Sequence, residues 1–260
     1  MRWIKCLSIG VLAAFATTLE AQPTKSDEDY LTRGRVPHSI GKFRDALGDR
    51  LEKPGKERIT ISGSLTAQGR TVPATILWEL PGKFRLDQTG GGRPLLVNGP
   101  GLTPGKTQDA MDAAEEALAE SLIQDRVESA LYGIANGNSL RLVGEQVREG
   151  RNPGPDYRGP YYDVVDTVAK LDSRSTAPVR HKRFLFDSYT GLLRRVIYKV
   201  QGVNGVESTV ETIFDQWTAF DGNRFPLVTE RRVNGAVVVR FVASAHAIGA
   251  KIADDTFEKP

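Results

Sequence analysis

Apolar residues recur first with the spacing of a helix and then, for most of the chain, with that of a strand. Between Ser39 and Lys53, Ile40, Phe43, Ala46, Leu47 and Leu51 fall three or four apart, which predicts one apolar helix face ended by Pro54-Gly55. From Ile59 the period drops to two. Ile59, Ile61, Gly63, Leu65 and Ala67 alternate with Thr60, Ser62, Ser64 and Thr66, and Gly69-Arg70 turns the chain into a second row of Val72, Ala74, Ile76, Trp78 and Leu80. Pro81-Gly82 turns it again into Phe84 and Leu86, and Gly90, Gly91 and Gly92 precede Pro94 to Val97. Alternation joined by tight turns predicts an antiparallel meander with one apolar and one polar face.

A helix interrupts the strands. Thr107 to Ile134 places Met111, Leu118, Leu122, Ile123, Val127, Ala130 and Leu131 at helical spacing, with Asp109, Asp112, Glu115 and Glu116 near the positive N-terminal end. After Asn136-Gly137 alternation returns. It predicts strands at Leu140–Val147, Tyr161–Lys170, Arg183–Phe186, Leu192–Gln201, Val206–Phe220, Phe225–Val233 and Val237–His246. Turns fall at Asp187 to Gly191, Gly202 to Gly205, Asp221 to Asn223 and Asn234-Gly235. About ten or eleven strands in one sheet must curl, and two helices are too few to cover both faces. The expected fold is mostly β with α: a curved antiparallel half-barrel closed on its concave face by one long and one shorter helix.

The first residues change the picture of where this domain works. Arg2 and Lys5 precede an uncharged apolar run from Cys6 to Leu19, too short for a spanning helix but matched to a signal-peptide core. Glu20-Ala-Gln-Pro23 supplies a cut after Ala21, with Ala16 and Thr17 as alternatives. Residues 1–21 are thus expected to be a removable signal, 22–37 a flexible polar arm and 38–260 a single domain, exported to the periplasm and soluble there. Cys6 is the sole cysteine of 260 residues, so the expected mature chain has no disulfide, thiolate metal site or thiol nucleophile. Net charge is only +3, with both signs interspersed, which gives no nucleic-acid footprint.

Several short motifs, in order, resemble the LolA/LolB-like family of outer-membrane lipoprotein-sorting proteins. Ile76-Leu-Trp-Glu-Leu-Pro-Gly-Lys-Phe-Arg85 is similar to the family's strand Trp, then Pro, then an aromatic opening the next strand. Leu95-Leu-Val-Asn-Gly99 resembles the apolar triplet and turn that follow, and Phe186 to Val196 the late hairpin. Phe214-Asp-Gln-Trp217 with Asp221 to Pro226, and Asp255 to Pro260, resemble the closing segments. The resemblance implies an apolar cavity holding lipid or lipoprotein acyl chains, a role as carrier or chaperone in outer-membrane biogenesis, and no cofactor. One departure stands out: where the lipoprotein carriers have an Arg just before the strand-ending Pro, this chain has Leu80.

The residues point the same way, since a concave sheet faced with Ile, Val, Leu, Phe and Trp needs a filler, from helix side chains or from a ligand. Ile61, Leu65, Ile76, Trp78 and Phe84 are the candidate cavity lining, and Phe186, Phe214, Trp217, Phe220, Phe225 and Phe241 are candidate core. Gly99 to Thr107 imitates a phosphate loop, but Pro100 replaces its first Gly and, with Pro104, removes amide donors, so no nucleotide is expected. His38, His181 and His246 form no ligand pair, and no nucleophile elbow exists. Asp163 and Asp166, three apart on one strand, fall on opposite faces, a poor acid–base pair better read as solvated or turn carboxylates. Three readings stay open: a carrier of acyl chains, an envelope-stress sensor docking on a membrane-protein partner, and an enzyme with a dispersed site. The first is preferred, with no enzymatic activity. The exported protein should begin near Gln22, which N-terminal sequencing or intact mass will check; Met1 retained in a cytoplasmic product would refute export.

Overall fold

A computed structural model describes residues 35–47, 58–79, 83–90, 94–98, 118, 122, 139–149, 158–168, 182–201, 205–249 and 252–257. Helix α1 spans Arg35–Leu47. Eleven strands follow: β1 Arg58–Ala67, β2 Arg70–Glu79, β3 Lys83–Gln88, β4 Leu95–Asn98, β5 Ser139–Arg148, β6 Tyr161–Val168, β7 Lys182–Asp187, β8 Leu193–Gln201, β9 Glu207–Phe220, β10 Asn223–Val233 and β11 Ala236–Ile248. A short 3-10 helix, Asp254–Phe257, comes last.

The strands form one open antiparallel sheet in the order β4-β3-β2-β1-β11-β10-β9-β8-β7-β6-β5. Within the runs β1 to β4 and β5 to β11, neighbours in sequence are neighbours in the sheet, as the alternation predicts. The exception is the pairing of β1 with β11, which joins the two runs. The connection from β4 to β5 therefore links opposite edges. Of this connection only Leu118 and Leu122 are described, and both are buried against the β1–β3 side of the sheet. The remainder of the helix predicted at Thr107–Ile134 lies outside the described residues, as do the predicted signal and most of the arm.

The turns explain the register. Gln68-Gly69, Asp221-Gly222 and Asn234-Gly235 each have two successive residues at positive φ (51° and 74°, 46° and 72°, 50° and 82°), the two-residue hairpin geometry that matches strand twist. The first turn thus centres one residue earlier than the predicted Gly69-Arg70. In the turn after β7, the Asp187 carboxylate accepts hydrogen bonds from the amides of Tyr189 and Thr190 at 3.1 and 2.8 Å. Helix α1 begins four residues before the predicted Ser39 and takes in Arg35–Pro37 of the predicted arm. Pro37 is tolerated because the first turn's amides have no intrahelical acceptor in any case. Leu51 and Pro54-Gly55, used to predict its end, lie outside the described residues.

Two apolar clusters share the buried face. The first joins β1, β2 and β3 to Phe225, Val239, Phe241, Leu118 and Leu122. The second joins Phe43 and Leu47 of α1 to Val165, Phe184, Phe186, Leu193, Val196, Val210 and Phe214. Helix α1 thus covers one half of this face. Closure of the whole concave face by two helices, as expected from sequence, is not established by the described residues. Phe220 departs from its predicted core role: it sits 41% exposed at the end of β9 and belongs to neither cluster, its ring 6.4 Å from that of His246.

The opposite face carries ion pairs, and the C-terminal segment is tied to it. Arg58 bonds Glu79 at 2.7 Å and donates to the Ile252 carbonyl at 3.0 Å, and Arg85 donates to the Thr256 carbonyl at 2.9 Å. Phe257 is buried there, 2% exposed. Burial alone would push the Glu79 carboxyl up, but hydrogen bonding and charge from Lys83 and Arg58 outweigh it and hold the group below its ordinary value. Its contribution to stability is therefore present above the ordinary carboxylate pKa and lost as pH falls through the lowered value. Glu79→Gln should flatten the acid side of the stability–pH profile, measured by urea midpoints.

At the joining pair, a Cβ on Gly63 would lie 2.2 Å from the Val242 carbonyl oxygen, beside the register shift between Ser62 and Gly63. Only glycine permits this approach. Gly63→Ala should cost about 1–3 kcal/mol of unfolding free energy, read from chemical denaturation.

Candidate lipid-binding face

Antiparallel partners share a face of the sheet, so the ladder itself assembles the candidate site. Ile59 faces Trp78 and Trp78 faces Phe84; Ile61 faces Ile76, and Ile76 faces Leu86; Leu65 faces Val72. The turn chemistry of β1 to β3 is local, and it lines these residues up in rows. Ile61, Leu65, Ile76, Trp78 and Phe84 are all 0 to 2% exposed and belong to one cluster. All five predicted lining residues are therefore brought together.

Sequence reading missed their partners from the far end of the chain. Leu65 faces Phe241 across the β1–β11 pair, and Phe225, Val239 and Ala243 complete the same cluster. Alternation in β11 marks Val239 and Phe241 as inward but cannot say which strand lies beside them. Leu118 and Leu122, one helical turn apart, press on this surface as the predicted helix face implies. His246, opposite Ile61, stacks on Phe225 with ring centroids 4.5 Å apart.

Between the two clusters the inner face turns polar. Strand β10 carries Thr229 opposite Phe241 and Phe214, and Arg231 opposite Val239 and Thr212. Arg231 Nη1 donates to the Tyr198 hydroxyl at 3.1 Å. All four polar members are buried: Thr212 0%, Tyr198 3%, Arg231 5% and Thr229 6% exposed. This strip was not singled out from sequence, although the parity of Phe225 and Leu227 places Thr229 and Arg231 inward.

A second polar feature is a cleft of about 520 Å³ lined by Lys42, Glu145, Gln146, Asp163 and Ser188. Asp163 corrects its predicted solvated role, being 7% exposed. It accepts from Ser188 Oγ at 2.7 Å and from the Gln146 amide at 3.2 Å, where β5 bulges and Gln146 takes a φ of 51°. Those bonds make it a brace for an irregular edge strand. Asp166 points the other way, to Arg183 at 2.8 Å, and this hydrogen bond raises the Arg183 pKa against burial. The two carboxylates thus occupy opposite faces, as predicted. Among the described residues no three His, Cys, Asp or Glu side chains stand together as metal ligands, and no helix is long and apolar enough to cross a membrane.

The architecture is one open eleven-stranded antiparallel sheet with a LolA-like fold. Among solved structures, a LolA superfamily protein from Nitrosomonas europaea is similar over 85% of this chain and 97% of its own, with 12% identity and a TM-score of 0.50. A DUF1329 family protein from Desulfovibrio piger is similar over 91% and 97%, with 10% identity and a TM-score of 0.45. MucB in the Pseudomonas aeruginosa MucA/MucB complex is similar over 86% of this chain and 60% of its own, with 14% identity and a TM-score of 0.27. At these identities the first likeness is one of fold, and fold alone does not assign function. No family profile and no curated protein matches the sequence.

Trp78→Ala should lower the unfolding free energy by about 3–5 kcal/mol, the cost of an aromatic removed from a packed core. Thr75→Ser, on the opposite face of β2 and able to keep the hydroxyl contact to Ser62 at 3.4 Å, should change the urea midpoint little.

Proposed function

We propose that this protein carries or holds the acyl chains of a lipid or lipoprotein in the periplasm, without catalysing a reaction. The observation supporting this most directly is the surface formed by Ile61, Leu65, Ile76, Trp78 and Phe84 on an open sheet, with Leu118 and Leu122 lying on it. Hydrocarbon on the sheet is covered by hydrocarbon from a single connecting segment rather than by a second sheet. An acyl chain entering there exchanges one apolar contact for another. Each methylene it buries is worth about 0.8 kcal/mol, and the side chains it displaces lose a similar amount per unit area, so loading and release stay close in free energy. A carrier needs that balance, because a site that bound too tightly would not deliver. The LolA-like fold supports the same reading. Its narrower form is lipoprotein sorting at the outer membrane.

The test uses Trp78 as an internal reporter. A fatty acid brominated along its chain should quench the protein's tryptophan fluorescence on titration, and Trp78→Phe should abolish most of that quenching while still binding the chain. Saturable binding with no quenching attributable to Trp78 would place the chain elsewhere. No binding by any acyl chain would remove the carrier reading.

A further inference from the structure

The sheet has two ends, and the described residues expose aromatic side chains at one of them. Strands β7 and β9 run the same way, so the turn after Asp187 and the last residue of β9 lie at the same end. Tyr189 in that turn is 77% exposed, and Phe220 is exposed as well. At the opposite end, beside the starts of β9 and β11, the exposed apolar residues are Val206 and Val237. The Tyr189 ring meets that of Tyr161 edge-on at 6.1 Å, and the Arg148 guanidinium lies 5.7 Å from the centre of the Tyr161 ring. Arg148 ends β5 opposite Tyr161, and the exposed Arg158 stands just before the same strand start. Among the described residues no carboxylate pairs with Arg148 or Arg158. The carboxylates around them are matched elsewhere: Glu149 to Arg195 at 2.7 Å, Asp215 to Arg194 at 3.1 Å, and Asp187 to the amides of its own turn. Glu145 lines the cleft, and Asp221 stands on the far side of β7 and β8.

We propose that this end of the sheet docks on the surface of an anionic lipid bilayer, with Tyr189 and Phe220 entering the head-group layer and Arg148 and Arg158 meeting lipid phosphates. Aromatic rings gather at a membrane–water boundary because the apolar body leaves water there while a polar edge stays wet. Arginine lays its stem along apolar surface and keeps its charge at the phosphates. An anionic leaflet attracts each such charge across about one Debye length. The two arginines flank Tyr161 and Tyr189, so both forces act on one patch. Single aromatics carried on separate turns suit a fluid surface; a protein groove needs a continuous complementary face. Phe220 adds a path inward. Its ring is 6.4 Å from that of His246, which stacks at 4.5 Å on Phe225, a fully buried member of the first cluster. The docking end is thus joined to that cluster by a run of rings. Docking itself needs no acyl chain inside the protein, so it stands apart from the carrier reading.

The experiment sediments the exported protein with vesicles of an equal mixture of phosphatidylglycerol and phosphatidylcholine, and with vesicles of phosphatidylcholine alone. The mixed vesicles should bind it more tightly, and high salt should weaken that binding. Arg148→Gln combined with Arg158→Gln should lower partition onto the mixed vesicles about 10- to 30-fold. Tyr189→Ser combined with Phe220→Ser should lower binding to both kinds of vesicle. Val206→Ser combined with Val237→Ser, at the opposite end, should change neither. All six side chains are exposed, so each variant should keep the urea midpoint of the unaltered protein. Where a paired variant lowers that midpoint, its two single substitutions are measured instead. No preference for the anionic vesicles overturns the proposal, and so does full binding by either altered pair at the docking end. Binding only to vesicles rebuilt from whole membranes with their proteins also overturns it, in favour of a protein partner. Quenching by the brominated fatty acid should be unchanged in all these variants, so failure here leaves the carrier reading standing.

Discussion

The sheet depends on one non-local contact, the pairing of β1 with β11. Every other ladder joins strands that follow one another in the chain. At this pair two separate meanders become a single sheet, and the first apolar cluster acquires Phe241, Val239 and Ala243. The contact is close enough that Gly63 leaves no room for a side chain against the Val242 carbonyl. Hydrogen bonding to the Ile252 and Thr256 carbonyls by Arg58 and Arg85 then fastens the end of the chain across β1 and β3.

Local patterning accounts for what the sequence reveals. Period-two alternation places Ile61, Leu65, Ile76, Trp78 and Phe84 on one face, and hairpin residues such as Asn234-Gly235 set the strand ends almost where they are found. Pairing between distant strands leaves no comparable trace. Gly63, standing in a row of Ile and Leu, is its one local sign, and a strand glycine can equally mark a bulge, a bend or a ligand's close approach. Asp163 was legible as inward or outward only by parity, and its burial comes from a bulge in β5 that periodicity cannot express. Phe220 shows the converse: an aromatic in a strand suggests core, but at the last position of β9 it stays 41% exposed beside His246.

Arg231 belongs to both categories. Its parity follows from Phe225 and Leu227, yet the Glu230-Arg231-Arg232 run resembles a solvated stretch. The structure separates the three: Glu230 and Arg232 pair with each other at 2.7 Å, while Arg231 turns to Tyr198. An inner face lined by the two clusters alone would be uniformly apolar. Thr212, Thr229 and Arg231 break that uniformity at the boundary of the two clusters.

The position of β11 also bears on how the protein comes into being. Strand β1 is made among the first elements, but its outer partner is the last strand synthesised, so Ile59 must wait for Ile248. Until then the four-stranded meander β1 to β4 exposes an unpaired edge beside a row of Ile, Leu and Trp, a surface open to wrong pairing with other chains. Closing so long a loop late makes the molecule slow to mature relative to its size. Its vulnerable period is therefore the interval before the final strand pairs with β1.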